Sequence, residues 1–449
     1  MNTQSVVDVQ RFIDAHKLSP FQISVLAFCF CVVAIDGFDT AAIGFLAPAI
    51  KTEWGTTPAA LAPLFGAGLF GLMAGAFLFG PLSDRFGRKN VLVLTTFFFG
   101  LMSLVSGFAS SLPELIVLRF LTGLGLGGAM PNAITLTSEY CPEDKRSFLV
   151  TSMFCGFTIG SALGGFVAAQ MVAAFGWRSV LIVGGAAPLL LAPALWFALP
   201  ESVRFMVLKG GYGDRIAATL RRIAPDAELR GATFVGVRRP EGSPVGQLFK
   251  GGLLRGTLYL WLTFFMSLLV VYLLSSWLPT LISSTGVSLE TASLVTAMFQ
   301  VGGTIGAIVL GRLMDRLNPH LVLGTSYALA GVFIALIGSA ASVPWLVAIA
   351  VFGAGICVSG SQVGANALSA AYYPTASRAT GVSWANGIGR VGSVLGSMLG
   401  GLMLSLEWGM PAIFALVALP AFIAGASMFI MGRVHAPQPM LQVQSQPQV

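Results

Sequence analysis

Long apolar runs separated by short charged turns dominate the pattern of this chain. Runs long enough to cross a bilayer fall at about 24–45, 61–80, 91–109, 115–138, 149–172 and 179–199, and again at 257–282, 293–311, 321–340, 343–371, 380–402 and 410–432. A hydrocarbon core about 30 Å thick needs roughly 20 apolar residues in a helix, so the pattern predicts twelve spanning helices in two sets of six. The organisation that follows is a tail over 1–23, a six-helix bundle over 24–199, a polar connection over 200–256, a second six-helix bundle over 257–432 and a tail over 433–449. The first run carries two aspartates and no small-residue cleavage site, which reads as a retained helix and not a signal peptide.

Composition makes this an all-α integral membrane protein: 55% of the 449 residues are hydrophobic and 10% charged, against roughly 25% charged in a soluble domain. The charges also orient it. Residues 200–256 hold ten Lys/Arg and five Asp/Glu, supplying +5 of the net +7. With both termini in the cytoplasm, 21 of the 25 basic residues fall on the inner side, as positive-inside bias requires. The basic balance therefore reports topology and not nucleic-acid binding, although the central stretch can also meet anionic lipid. The five cysteines form no CxxC pair or metal-ligand spacing, and no GxxxxGK[ST] occurs. No metal, cofactor or ATP-driven machinery is expected.

The halves repeat. Gly80-Pro-Leu-Ser-Asp84-Arg85 after the second run matches Gly311-Arg-Leu-Met-Asp315-Arg316 after the eighth, 231 residues on. Tyr140-Cys-Pro142 to Arg146 after the fourth matches Tyr372-Tyr-Pro374 to Arg378 after the tenth, 232 residues on. Two matches at nearly one period argue for duplication, and parallel six-helix repeats around a central site build one large class of secondary transporter.

Gly80-Pro-Leu-Ser-Asp84-Arg85-Phe-Gly87-Arg88-Lys89 resembles the loop 2–3 signature of the major facilitator superfamily, and Arg119-Phe-Leu-Thr-Gly123-Leu-Gly125 its span 4 signature. Asp36-Gly37-Phe38-Asp39, Pro200-Glu201-Ser202 and Gly381-Val-Ser-Trp384 leading to Gly389-Arg390 resemble the aromatic acid:proton symporters within it, nearest the 4-hydroxybenzoate/protocatechuate permeases. The resemblance implies a carrier and not an enzyme. It would work as a monomer in a bacterial inner membrane, importing a hydroxylated aromatic carboxylate with protons by alternating access. It also implies gating by Asp84, Arg85, Arg88 and Lys89, by their repeat-mates Asp315 and Arg316, and by Arg378. The second copy departs from the pattern, ending Leu317-Asn318-Pro319 without the Gly-Arg-Lys tail. An aromatic-acid chemoreceptor, a sugar, polyol or shikimate-type symporter and an efflux antiporter stand as alternatives.

Four charges lie inside the predicted spans: Asp36, Asp39, Arg119 and Arg390. Each costs about 2.5–3.5 kcal/mol on insertion scales, so each must be paired or face a wet cavity. Asp39 and Arg119 fall at similar depth, and a pair between them is expected, either coupling protons or only locking two helices. Arginine cannot release a proton, so Asp36 and Asp39 are the proton-carrying candidates. Glu139, which the resemblance adds to that set, also reads as a helix-end acid facing water. Arg390 lies about 18 Å in from Arg378, near the midplane, and its repeat-mate is Ile159. A charge missing from the duplicated copy points to function, and a guanidinium can grip a carboxylate with two hydrogen bonds. Pairing of Arg390 with an aspartate is the rival reading. Asn386 and Ser383 share its helix face, and Gln362 and Asn366 lie on a polar stripe from Ser359 to Ser369. Phe38, Tyr272, Trp277 and Trp384 are candidate ring contacts, whereas Trp54, Trp177 and Trp408 are expected to anchor the outer interface.

Overall fold

The computed structural model describes residues 6–229, 231–235, 244–250, 252–340, 343–373, 377–406 and 408–434. Its twelve long helices are α1 (Pro20–Trp54), α2 (Pro58–Phe86), α3 (Arg88–Ser106), α4 (Leu112–Tyr140), α5 (Arg146–Phe175), α6 (Trp177–Ala198), α7 (Leu253–Ser283), α8 (Leu289–Arg316), α9 (Pro319–Ser339), α10 (Pro344–Tyr372), α11 (Arg378–Ser405) and α12 (Met410–Val434). All twelve are long and apolar enough to cross a membrane. Most outrun their apolar cores, because backbone hydrogen bonding continues past the hydrocarbon until a cap or turn stops it. The 35-residue α1 starts at a capping box in which Ser19 and Gln22 exchange hydrogen bonds, with Pro20 in its first turn.

The same helix pairs pack most extensively in each half, α2 on α4 and α1 on α5, then α8 on α10 and α7 on α11. Small residues permit this. A Cβ at Gly160 would overlap the backbone carbonyl of Ala34, and one at Gly396 that of Leu269, so backbones approach where lipid offers no hydrophobic drive to do so.

The polar tail and connection are less featureless than their sequence. Strand β1 (Val6–Asp8) pairs in parallel with β2 (Thr233–Val235), and the amphipathic helix Gly213–Ile223 buries Ile216, Leu220 and Ile223 in the core of the first half.

That core is one of two on the basic side. The basic ends of the halves have separate cores, one built from residues of the first half and one from residues of the second. At the opposite end a single continuous core draws on both. There Phe65 of α2 packs on Trp277 of α7 with centroids 4.8 Å apart. Across the interface α2 packs on α11, α5 on α8 and α1 on α7, but no extensive packing joins α4 to α10 or α11 among the described residues. The two halves are thus closed together on the sparsely charged side and parted on the basic side.

Candidate functional site

Near the apex of that parting, α1 presents both aspartates, and their surroundings differ. Asp39, 1% exposed, is saturated. Arg119 Nη1 donates to its Oδ1 at 3.1 Å, Nη2 to its Oδ2 at 2.6 Å and Nη2 to its backbone carbonyl at 3.3 Å, while Ser103 Oγ donates to Oδ1 at 2.6 Å. Asp36, fully buried, accepts from Thr40 Oγ1 at 3.1 Å through Oδ1, and its Oδ2 has no hydrogen-bond partner among the described residues. The charges whose fields reach it are Arg390, from the other half, and Asp39.

Arg390 reaches out of α11. Nη1 donates to the Tyr272 hydroxyl of α7 at 2.9 Å, and Nη2 lies 3.9 Å from Met130 Sδ of α4, across the interface. Neither contact neutralises the guanidinium. One turn toward the basic side, Asn386 Nδ2 donates to Asn366 Oδ1 at 3.0 Å, joining α11 to α10. Because the two helices run antiparallel, Gln362, one turn along α10 from Asn366, falls level with Arg390. Its Oε1 is buried without a hydrogen-bond partner among the described residues. An unserved buried polar atom costs about 1–3 kcal/mol, so these oxygens of Asp36 and Gln362, with the Arg390 guanidinium, are candidates to receive a further hydrogen-bonding group.

The other predicted contacts divide. Phe38 sits about 200° around α1 from Asp36 and packs on Gly184 of α6, inside the first half. Trp277 is buried in the shared core, its Nε1 donating to the Ser397 carbonyl at 2.6 Å. Trp384, 43% exposed, stacks on Trp261 with centroids 5.7 Å apart, and Ser383 beside it is exposed. Trp177, expected at the lipid interface, is instead buried and donates to Glu53 at 2.7 Å, since a charged partner on α1 draws it inward.

Glu139 lies far from these groups, 20 residues beyond Arg119 along α4, about 30 Å. Arg88 Nε reaches it at 3.2 Å and Arg88 Nη2 reaches Asp84 at 3.4 Å, while Ser202 Oγ donates a short hydrogen bond to Glu139. Glu201 caps α3, accepting from the Arg88 and Lys89 backbone N–H groups at 2.8 and 3.0 Å. Gly87 has φ +98°, and a Cβ there would strike the Glu201 carboxylate, which makes glycine mandatory at that turn. The Arg85 carbonyl accepts from Lys209 Nζ at 2.9 Å. Asp315 and Arg316 are exposed, with no ion pair among the described residues. The Arg378 side chain lies outside the described residues. Cys141, just past α4, is buried and its thiol is pushed up to about 11, so it acts as packing and not as a nucleophile.

Sequence reasoning missed Thr40, Ser103, Met130, Trp261 and the capping role of Glu201. Thr40 was findable, four residues from Asp36 on its own helix face. Ser103 and Met130 carry no such signal, because other helices bring them in.

Comparison with known proteins fits this arrangement. A family profile described as Major Facilitator Superfamily matches residues 29–288 and 260–447. The chain is 48% identical to the 4-hydroxybenzoate transporter PcaK of Pseudomonas aeruginosa, covering 96% of this chain and 97% of that protein. It is 46% identical to the gallate transporter of Pseudomonas putida, with 96% of each covered. Among solved structures, the inward open conformation of the xylose transporter XylE from E. coli superposes with a TM-score of 0.72 at 17% identity, covering 91% of this chain and 95% of that one.

Proposed function

This chain belongs to the major facilitator superfamily, and from that premise we propose that it imports a hydroxylated aromatic carboxylate of the 4-hydroxybenzoate class together with a proton. In this reading the basic side faces the cytoplasm of a bacterial inner membrane, and the separation of the halves on that side is the inward-open state of an alternating-access cycle. The names of the relatives support the substrate class. The observation that carries the reading is that Arg390 of one half reaches Met130 of the other with only a neutral hydroxyl to serve it, while that other half buries Asp36 with one oxygen unpartnered among the described residues.

Those two groups supply a coupling mechanism. Without substrate, ionised Asp36 offsets the charge of Arg390 across the interface. A substrate carboxylate competes for the same guanidinium, and two anions on one buried cation leave an excess charge that burial disfavours. A proton on Asp36 removes the conflict, so anion and proton bind cooperatively although they touch different atoms. Tyr272 orients the guanidinium, while Gln362, with Asn366 and Asn386 beside it, offers hydrogen-bonding groups to ring hydroxyls. Trp384 on Trp261 forms an aromatic platform about 9 Å toward the cytoplasm along α11, on the exit path. Asp39 and Arg119 form a lock within the first half and do not carry the proton. The Asp84, Arg88, Glu139 and Ser202 cluster belongs to the cytoplasmic gate.

The test is uptake of labelled 4-hydroxybenzoate by proteoliposomes under an imposed inward pH gradient, with gallate, benzoate and xylose as competitors. Gradient-driven accumulation inhibited by the aromatic acids and not by xylose is expected. Uptake indifferent to the gradient, or displaced by xylose, would overturn the proposal.

A further inference from the structure

A cavity lies on the basic side of the first half, away from the proposed transport site. It measures about 510 Å³ and is bounded by the end of α2, the start of α3 and the two short helices Val203–Lys209 and Gly213–Ile223. Five cations line it, Arg85, Lys89, Lys209, Arg215 and Arg222, against one acid, Glu201. That acid is already engaged, since Oε1 accepts the N–H groups of Arg88, Lys89 and Ser202. The cations meet aromatic rings instead of carboxylates: Arg222 lies 4.0 Å from the Phe21 centroid, Arg215 5.8 Å from Tyr212 and Lys89 5.7 Å from Trp196. Among the described residues none of the five forms an ion pair. Such a concentration of positive charge in one concavity attracts a polyoxygen anion.

The surroundings indicate its source. Phe86 ends α2 on the rim, and Trp196 and Phe197 stand at the end of α6, Phe197 85% exposed. Tryptophan at a helix end marks the level of lipid headgroups, and Trp196 adjoins the charged concavity through Lys89. A soluble phosphate would leave that apolar surface uncovered, whereas acyl chains would lie along it.

The geometry points to a binding site for the phosphodiester headgroup of an anionic phospholipid, held by Lys209, Arg215 and Arg222 of the central connection and by Arg85 and Lys89 of the α2–α3 turn. A lipid seated there bridges the connection to the turn, and its binding stabilises the folded protein by mass action.

Thermal unfolding of the detergent-purified chain, with phosphatidylglycerol, phosphatidylcholine or inorganic phosphate added, tests this. Phosphatidylglycerol should raise the midpoint by several degrees, phosphatidylcholine should not, and Arg215→Gln with Arg222→Gln should abolish the shift while leaving 4-hydroxybenzoate binding unchanged. An equal shift in the double variant, or with phosphatidylcholine, would overturn the site. A full shift with inorganic phosphate alone would overturn the lipid as its source. Should the double variant not fold, Lys209→Gln decides: a shift reduced by half or more supports the site, and an undiminished shift refutes it.

Discussion

Asp36 and Asp39 stand one turn apart on α1, yet replacing each with asparagine should have opposite consequences. Asp39→Asn leaves Arg119, whose side chain is 4% exposed, without a counter-charge, and sets an amide where two guanidinium donors now meet carboxylate oxygens at 3.1 and 2.6 Å. Two charge-assisted hydrogen bonds at about 1.5–3 kcal/mol each agree with the about 3–5 kcal/mol lost when one partner of a buried pair is removed. Against a net stability of about 5–15 kcal/mol, that is about a fifth of the margin or more. Asp36→Asn breaks no ion pair and keeps an acceptor for Thr40, so it should cost at most about 1 kcal/mol. Thermal unfolding in detergent and uptake in proteoliposomes separate the two. Asp39→Asn should unfold early and recover when Arg119→Met removes the stranded cation as well. Asp36→Asn should melt like the parent and exchange labelled for unlabelled substrate, but fail to accumulate it under a pH gradient. Full accumulation by Asp36→Asn would refute the proton role, and a parent-like melt for Asp39→Asn would refute the lock.

Arg390→Lys replaces a two-pronged grip by a point charge. Losing one charge-assisted hydrogen bond, about 1.5–3 kcal/mol, should raise the half-saturation concentration about 10–150-fold. Tyr272→Phe removes a hydrogen bond donated by the Arg390 guanidinium, worth about 1.5–3 kcal/mol because its donor is charged, and should weaken apparent affinity at least about tenfold, with folding intact. Because one of the two buried aspartates is held in the Arg119 salt bridge, this reading has one proton entering with each monoanion. Uptake should then follow the pH gradient and ignore a potassium-diffusion potential, whereas two protons would move one net charge, worth about 2.3 kcal/mol per 100 mV.

The spacing of apolar runs and the bias of basic residues determined much of this protein by themselves. In a bilayer every backbone hydrogen bond must be met within the segment, so a run of some 20 apolar residues has little choice but to be a helix. The duplication at 231 residues and the excess of cations on one side were likewise complete in the sequence. So was the list of intramembrane charges, because burying a charge is costly enough that each one must have a purpose. Which purpose was decided only by the tertiary structure. Asp36 and Asp39 are chemically identical and one turn apart, and only the approach of α3 and α4 serves one with Ser103 and Arg119 while leaving an oxygen of the other unpartnered. Phe38 and Trp277 read as ring contacts until helix rotation and packing turned both into the core shared by the two halves. The cavity of five cations joins residues more than 100 positions apart. Periodicity acts along one helix, whereas a site is made where different helices cross, and the crossing is set by small residues and caps whose effect is visible only once the chain has folded.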